Sequence, residues 1–263
     1  MTNPHPETGR ANAYGTTFYD AQLGGSLRSA RIYAGLLWQF YQPASVFDFG
    51  CGHGAWLKAF AEQGSDRLVG YDGNWNTQAD MLDPRIEFHP VDLDQVIWES
   101  LGDKDFDLAL SLEVAEHLEP ESSSKIVETL CVAAPVVIFG AALLHQSGIR
   151  HINLRKHSFW AGLFTERDFE VFDLFRPFVW GNQAVDYWYQ QNTFLYVRSG
   201  HGLGEELASQ GHRPVKRLEL LDCVPPDLLD QHANAPLGQL MRKQLKRQIP
   251  GWLLALLGKD HEH

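Results

Sequence analysis

Two rhythms run along the chain. Short, almost wholly apolar runs recur as "SVFDFG" (45–50), "DRLVGYD" (66–72), "RIEFHPVDLD" (85–94), "FDLALSLEV" (106–114) and "PVVIFGAAL" (135–143). Runs of this length without polar alternation predict strands buried on both faces. Between them, "SLRSARIYAGLLWQFY" (26–41), "GAWLKAFAEQG" (54–64) and "SSSKIVETLCVAA" (122–134) place apolar residues three and four apart. That spacing predicts helices, the second closed by a glycine. Strands alternating with helices predict an α/β fold, with a doubly wound, mostly parallel sheet covered on both faces.

After Leu144 the rhythm changes. "SFWAGLFTERDF" (158–169) reads as a helix. "FEVFDLFRP" (169–177) and "NTFLYVRS" (192–199) read as two strands, with the aromatic segment "VWGNQAVDYWYQQ" between them. They predict an antiparallel pair at the sheet edge. "GHGLGEELASQGHRP" (200–214) is a polar break. The expected organisation is a tail over 1–25, one domain over 26–199 and a helical carboxyl-terminal extension over 200–263.

The first strand runs straight into Gly50, Gly52 and Gly54, with Asp48 just before them. In an open parallel sheet, ligands sit beyond the carboxyl ends of the strands, and bare backbone there lets a ligand come close. The second strand ends in Asp72, roughly 20 residues on, where an acid accepts both hydroxyls of a ribose. "VDLD" places Asp92 near an adenine amino group. The glycine pattern is G-x-G-x-G, not the dinucleotide G-x-G-x-x-G, and an acid precedes it. A pyrophosphate disfavours a nearby carboxylate; a nucleoside carrying an ammonium and a sulfonium tolerates one.

The formal charge of −11 argues against a nucleic-acid binder, which needs clustered cations. Cys51, Cys131 and Cys223 are too widely spaced for a disulfide framework or a zinc site, so a reducing cytoplasm is the expected compartment. The amino terminus lacks the apolar core of a signal peptide, and no run reaches the ~18 apolar residues of a membrane span.

"VFDFGCGHG", "LVGYDG", "VDLD" and "FDLALSLEVAEHL" resemble, in order and spacing, the successive motifs of class I S-adenosylmethionine-dependent methyltransferases. The resemblance covers about 26–198. It implies a Rossmann-like seven-stranded sheet of order 3-2-1-4-5-7-6 whose last two strands form the antiparallel edge pair. It also implies that Gly50, Cys51, Gly52 and Gly54 wrap the methionine part of the cofactor. Asp72 holds the ribose, with Gly73 beside the adenine; Asp92 and Leu93 contact the adenine; Leu112 and Glu113 flank the reactive end.

Transfer from a sulfonium needs acceptor, methyl and sulfur in line, and a hydroxyl acceptor must also lose its proton to a base or to a metal-assisted path. Two clusters supply candidates after the fourth and fifth strands: Glu113, Glu116 and His117, then His145, His151 and His157. His117, His151 and Glu116 are the expected catalytic groups, with His145 and His157 orienting or structural. The spacing E-x-x-E-H resembles the metal-binding segment of ubiquinone-biosynthesis and small-RNA terminal 2′-O-methyltransferases. On that resemblance Glu113, Glu116, His117 and His151 would hold Mg²⁺ or Mn²⁺; without a metal, His117 is a base or a packing residue. Arg150, Arg155 and Lys156 either bind an anionic substrate or form a solvated face. "RHIN" and "WYQQN" resemble a subset of bacterial methyltransferases, many associated with glycan or natural-product assembly, through His151, Asn153, Trp188, Tyr189, Gln191 and Asn192. Phe175, Phe178, Trp180, Tyr187 and Trp188 either wall an acceptor pocket or pack the core.

The leading expectation is O-methylation of a sugar or other hydroxylated metabolite, lipid-linked in one version. A metal-dependent 2′-O-methyltransferase of RNA ends and a non-catalytic cofactor-binding scaffold are the alternatives; the acidic balance argues against the first and the intact acids and glycines against the second. The tail over 236–258 places Leu237, Met241, Leu245 and Ile249 on one helical face and Arg242, Lys243, Lys246 and Arg247 elsewhere. It suits an anionic membrane surface at the inner face, or packing on the domain or on a second copy in a homodimer.

Overall fold

The computed structural model describes residues 16–95, 105–144, 146, 148 and 150–223. Residues 1–15, His145 and the segment 236–258 lie outside them. Chain order is α1 (Thr16–Trp38), β1 (Ser45–Phe49), α2 (Ala55–Gln63), β2 (Arg67–Asp72), β3 (Ile86–Pro90), β4 (Leu108–Leu112), α3 (Ser123–Ala133), β5 (Val136–Gly140), α4 (His157–Thr165), β6 (Phe169–Phe172), α5 (Arg176–Val179), α6 (Tyr187–Asn192), β7 (Thr193–Arg198) and α7 (Gly202–Ser209). The sheet has seven strands in the order β3-β2-β1-β4-β5-β7-β6. β7 runs antiparallel to β5 and β6; the other pairs are parallel.

Period-two alternation divides each inner strand between two cores. Leu108, Leu110 and Leu112 of β4 pack with Tyr33 and Leu37 of α1 and with Leu57 and Phe60 of α2. Ala109, between them in sequence, packs with Val127 and Leu130 of α3 and with Trp160 and Phe164 of α4. Phe164 stacks on Tyr196 of β7 at 3.9 Å between ring centroids. Burying a side chain of this size contributes about 1.5–3 kcal/mol over leaving it exposed.

Three boundaries differ from the sequence reading. α1 begins at Thr16, not Ser26. Within α1, a Cβ on Gly25 would collide with the Asp186 carboxylate. The small residue lets the loop carrying Asp186 cross the helix, and Ser29 Oγ accepts the Asp186 N–H at 3.0 Å. β3 ends at Pro90, so Asp92 and Asp94 stand in the turn beyond it. As an edge strand, β3 tolerates a residue without an N–H. Past the polar break at Gly200, the compact unit continues to Asp222. Leu203 and Leu207 of α7 are buried on one face of the sheet and Leu221 on the other.

The segment Leu218–Asp222 is fastened by polar groups. Arg176, itself paired with Asp173 at 2.7 Å, donates to Leu221 O at 3.0 Å. Asp222 accepts from Ser158 N at 2.8 Å and Ser158 Oγ at 2.7 Å. No described helix is long and apolar enough to cross a membrane.

Buried His157 completes this joint, with Nδ1 3.1 Å from Leu221 O and Nε2 3.2 Å from Asn192 Oδ1. Burial, and then the Arg176 charge, hold its imidazole below the ordinary value of 6.5, against the smaller pull of Leu221 O, Asn192 and Asp222. The folded protein therefore carries a neutral ring where the unfolded chain is charged. Stability present above pH 6.5 is lost as pH falls toward the folded value. Chemical denaturation at successive pH values should show His157→Gln flattening that acid loss by up to about 1.4 kcal/mol per pH unit; parallel curves for both proteins would contradict it.

Candidate active site

The end of β1 and the turn after it are tied to β2. Gly50 N–H and Cys51 N–H donate to Tyr71 O at 2.7 and 3.2 Å, and Gly54 N–H donates to Cys51 O at 2.8 Å. Gly50 has φ of +94°, and a Cβ there would collide with Val114, so backbone and packing both demand glycine. The Asp72 carboxylate then spans the crevice. Oδ2 accepts from Gly52 N at 2.6 Å and Oδ1 from Gly73 N at 2.6 Å. Burial raises Asp72 above the usual carboxylate range although these two N–H groups pull it down. Asp48, buried beside it, is pushed up by burial and by the Asp72 charge. Two buried acids so placed favour a ligand that brings positive charge, which is the chemistry of a sulfonium-bearing amino acid. The residues present fit that cofactor.

Asp92 is exposed, and its Oδ1 accepts from Asp94 N at 3.1 Å. Leu93 packs against the core. Asp94, which the sequence reading did not single out, accepts from Glu119 N at 2.9 Å and Ser122 Oγ at 2.8 Å. Trp75 was also missed. Its ring fills the place a Cβ on Gly73 would take, and it remains 45% exposed at the edge of the crevice. Its only sequence signal is the "GNW" directly after the β2 acid.

The end of β4 carries the second half of the site. Buried Leu112 is followed by Glu113, a non-glycine residue at φ +57° whose N–H donates to Gly140 O at 2.9 Å. This turn carries the Glu113 side chain toward β7. Asn192 Nδ2 donates to Glu113 Oε1 at 2.8 Å and to Gln146 Oε1 at 3.1 Å, and Gln146 Nε2 lies 3.4 Å from Glu113 Oε2. Burial lifts Glu113 to about 7 against these donors.

Glu116 is fully buried, and neither of its carboxylate oxygens has a hydrogen-bond partner. Burial and the Glu113 charge push it well above the carboxylate range; its own N–H and that of Ala142, near it but outside hydrogen-bonding geometry, offset this only in part. A carboxylate, His117 and His151 converge here, with one ligand atom from each within 4.8 Å of the others. The two rings meet edge to face at 4.8 Å. His151 Nδ1 lies 3.3 Å from Gln146 O, and burial lowers its pKa. Glu113, grouped with these residues by its spacing, is instead held by Asn192 and Gln146.

Asn153 fixes the loop. Ile152 and Asn153 N–H donate to Glu116 O at 2.9 and 3.0 Å, and buried Asn153 Nδ2 donates to Ala115 O at 3.1 Å and Ser123 Oγ at 2.9 Å. Of the aromatics, Phe175 is fully buried and Trp188 packs against the core, whereas Phe178, Trp180 and Tyr187 are exposed. Charge on Glu113 contributes to a raised Tyr187 pKa, after burial.

Residues 19–135 match a family model described as a methyltransferase domain. No curated protein matches the chain. Among solved structures, the fold is similar to magnesium protoporphyrin IX methyltransferase from Synechocystis PCC 6803 with bound SAM (TM-score 0.50, 18% identity, 72% of this chain and 88% of that one). It is also similar to DesVI from Streptomyces venezuelae (0.50, 16%, 70% and 96%). A third likeness is to an O-methyltransferase family protein from Burkholderia thailandensis (0.51, 14%, 72% and 62%). Strand order, the glycine turn with its two buried acids and the match over residues 19–135 give this chain the fold of S-adenosylmethionine-dependent methyltransferases.

Proposed function

We propose that the chain methylates an oxygen of a hydroxylated small molecule or glycan. The observation that carries this reading is the convergence of Glu116, His117 and His151 beyond β4. On this reading, Gly50, Cys51, Gly52 and Gly54 hold the methionine part of the cofactor and Asp72 the ribose. Gly73, Asp92 and Leu93 border the adenine, while Asp48, Leu112 and Glu113 close the reactive end. When bound, the cofactor would supply an electrophilic methyl on a sulfonium: the acceptor oxygen would bond the methyl carbon as the carbon–sulfur bond breaks, and the neutral thioether would leave with the electron pair. His151 or His117 takes the acceptor's proton at a ring nitrogen, and the Glu116 carboxylate stabilises the imidazolium that forms. Burial keeps His151 neutral into mildly acidic conditions, which is the state a base requires.

A second reading rests on the unpartnered Glu116 oxygens. A buried carboxylate without donors, beside two imidazoles, fits a divalent cation that would lower the pKa of the acceptor hydroxyl. Two nitrogen donors favour Mn²⁺ over Mg²⁺.

Asp72→Asn should weaken cofactor binding by about tenfold to a hundredfold, the cost of losing hydrogen bonds to a charged group; calorimetry giving unchanged affinity would remove Asp72 from the ribose. His151→Ala should cut turnover of a labelled methyl into cell-extract acceptors by about 10²–10⁴, with cofactor affinity within about twofold of wild type. In the wild type, turnover should hold below pH 6.5 and fall only as His151 protonates; full turnover in the variant would exclude this base. Calorimetric titration of chelated protein with Mn²⁺ should give one site that Glu116→Gln abolishes. Absence of heat, with turnover intact after chelation, would leave the imidazole path alone.

A further inference from the structure

A groove of about 360 Å³ is lined by Leu144, Leu154, Arg155, Lys156, Ser158 and Phe159. Its basic wall continues directly from the loop that carries His151 and Asn153. The chain is acidic overall, and most cations elsewhere in the described structure have carboxylate partners: Arg31 with Glu62, Arg85 with Asp83, Arg176 with Asp173 and Lys216 with Glu170. Arg155 and Lys156 have none among the described residues, and neither does Arg150 in the same loop.

Arg155 is nevertheless held in place. Its Nε donates to Asn153 Oδ1 at 3.0 Å, and its guanidinium lies 5.0 Å from the centre of the Phe159 ring. Asn153 is the residue that fastens the loop to Ala115 O and Ser123 Oγ. One buried amide therefore sets both the His151 loop and the guanidinium, while the terminal nitrogens of Arg155 make no bond to described residues. The groove also has apolar lining: Leu144 is 39% and Phe159 38% exposed. Asp222 accepts from Ser158 N and Oγ, so these groups at the start of α4 already have a carboxylate partner.

The geometry points to a phosphate subsite: Arg155 and Lys156 bind the phosphate or diphosphate of the acceptor, and Leu144 and Phe159 cover its sugar ring or chain. This names the substrate class of the reaction proposed above and rests on that reading. A planar guanidinium gives a phosphate two parallel hydrogen bonds and Lys156 adds a point charge; a neutral acceptor uses neither. Because Asn153 ties Arg155 to the His151 loop, the anchored end and the proposed base belong to one segment, and a hydroxyl further along the molecule is the one methylated.

Two measurements test it on the full chain. In the first, inorganic pyrophosphate is titrated calorimetrically into wild type, Arg155→Met/Lys156→Met and, as a remote control, Lys125→Met. Saturable binding that weakens about tenfold or more in the double variant and is unchanged in the control is expected. Equal affinity in all three, or no saturation by about 10 mM, a weak limit for a charge-paired anion, overturns the subsite. In the second, labelled methyl transfer into cell extract is compared before and after phosphatase treatment, with aqueous and organic-extractable fractions counted separately. Loss of the labelled product on phosphatase treatment supports the subsite, and the fraction that held it distinguishes a soluble sugar phosphate from a lipid-linked one. An unchanged labelled product removes the subsite while methyl transfer stands. If no product forms in either extract, the O-methylation reading fails and the pyrophosphate titration alone decides the subsite.

Discussion

The buried carboxylate of Asp72 is the constraint on which the cofactor side depends. It joins Gly52 of one turn to Gly73 of the next through two short charge-assisted bonds. The β1 turn and the β2 turn are thereby fixed to each other, at the ends of two paired strands. The same bonds leave an acid in a desolvated position beside a second one, Asp48. Rigid backbone and unfavourable charge arise from one arrangement, and a cationic ligand would relieve the second without disturbing the first.

The acceptor side is organised by Asn192. This residue stands just before β7, which starts opposite the end of β5, with Gly140 across from Thr193. Its side chain meets Glu113, Gln146 and His157 together. A buried amide with both ends satisfied gives this region a single geometry. Glu116 lacks such help. The two acids of the E-x-x-E-H segment thus differ: Glu113 is tied into an amide network, while Glu116, beside two imidazoles, has the Glu113 charge as its close neighbour.

Most of the sheet was legible because its strands are buried on both faces and so spell continuous apolar runs. "VVIFG" and "LALSL" need no partner to be recognised. The antiparallel edge pair was legible from the change of rhythm after Leu144. The start of α1 was not, because the reason for Gly25 is Asp186, which is distant in sequence. The boundary after β7 was misplaced for a similar reason: a polar stretch can still bury Leu203, Leu207 and Leu221. Among site residues, the glycines and strand-end acids announce themselves by position. Gln146, Asn153 and the separation of Glu113 from Glu116 do not, since hydrogen bonds across dozens of residues leave no periodic trace. The spacing could group Glu113, Glu116 and His117; only the fold shows that Asn192 and Gln146 donate to the first of them.

The reversed direction of β7 has a wider consequence. A parallel strand delivers its carboxyl end to the active rim; a reversed one delivers its beginning, so the connection from β6, with α5 and α6, is laid along that rim. The exposed rings of Phe178, Trp180 and Tyr187 belong to this connection. The crevice is therefore built from separate stretches of chain: the glycine turn and its acids before residue 95, the turn with Glu113, Glu116 and His117 after β4, and this connection after residue 140. Substitutions in that connection can reshape the rim without touching the turn that Asp72 fastens.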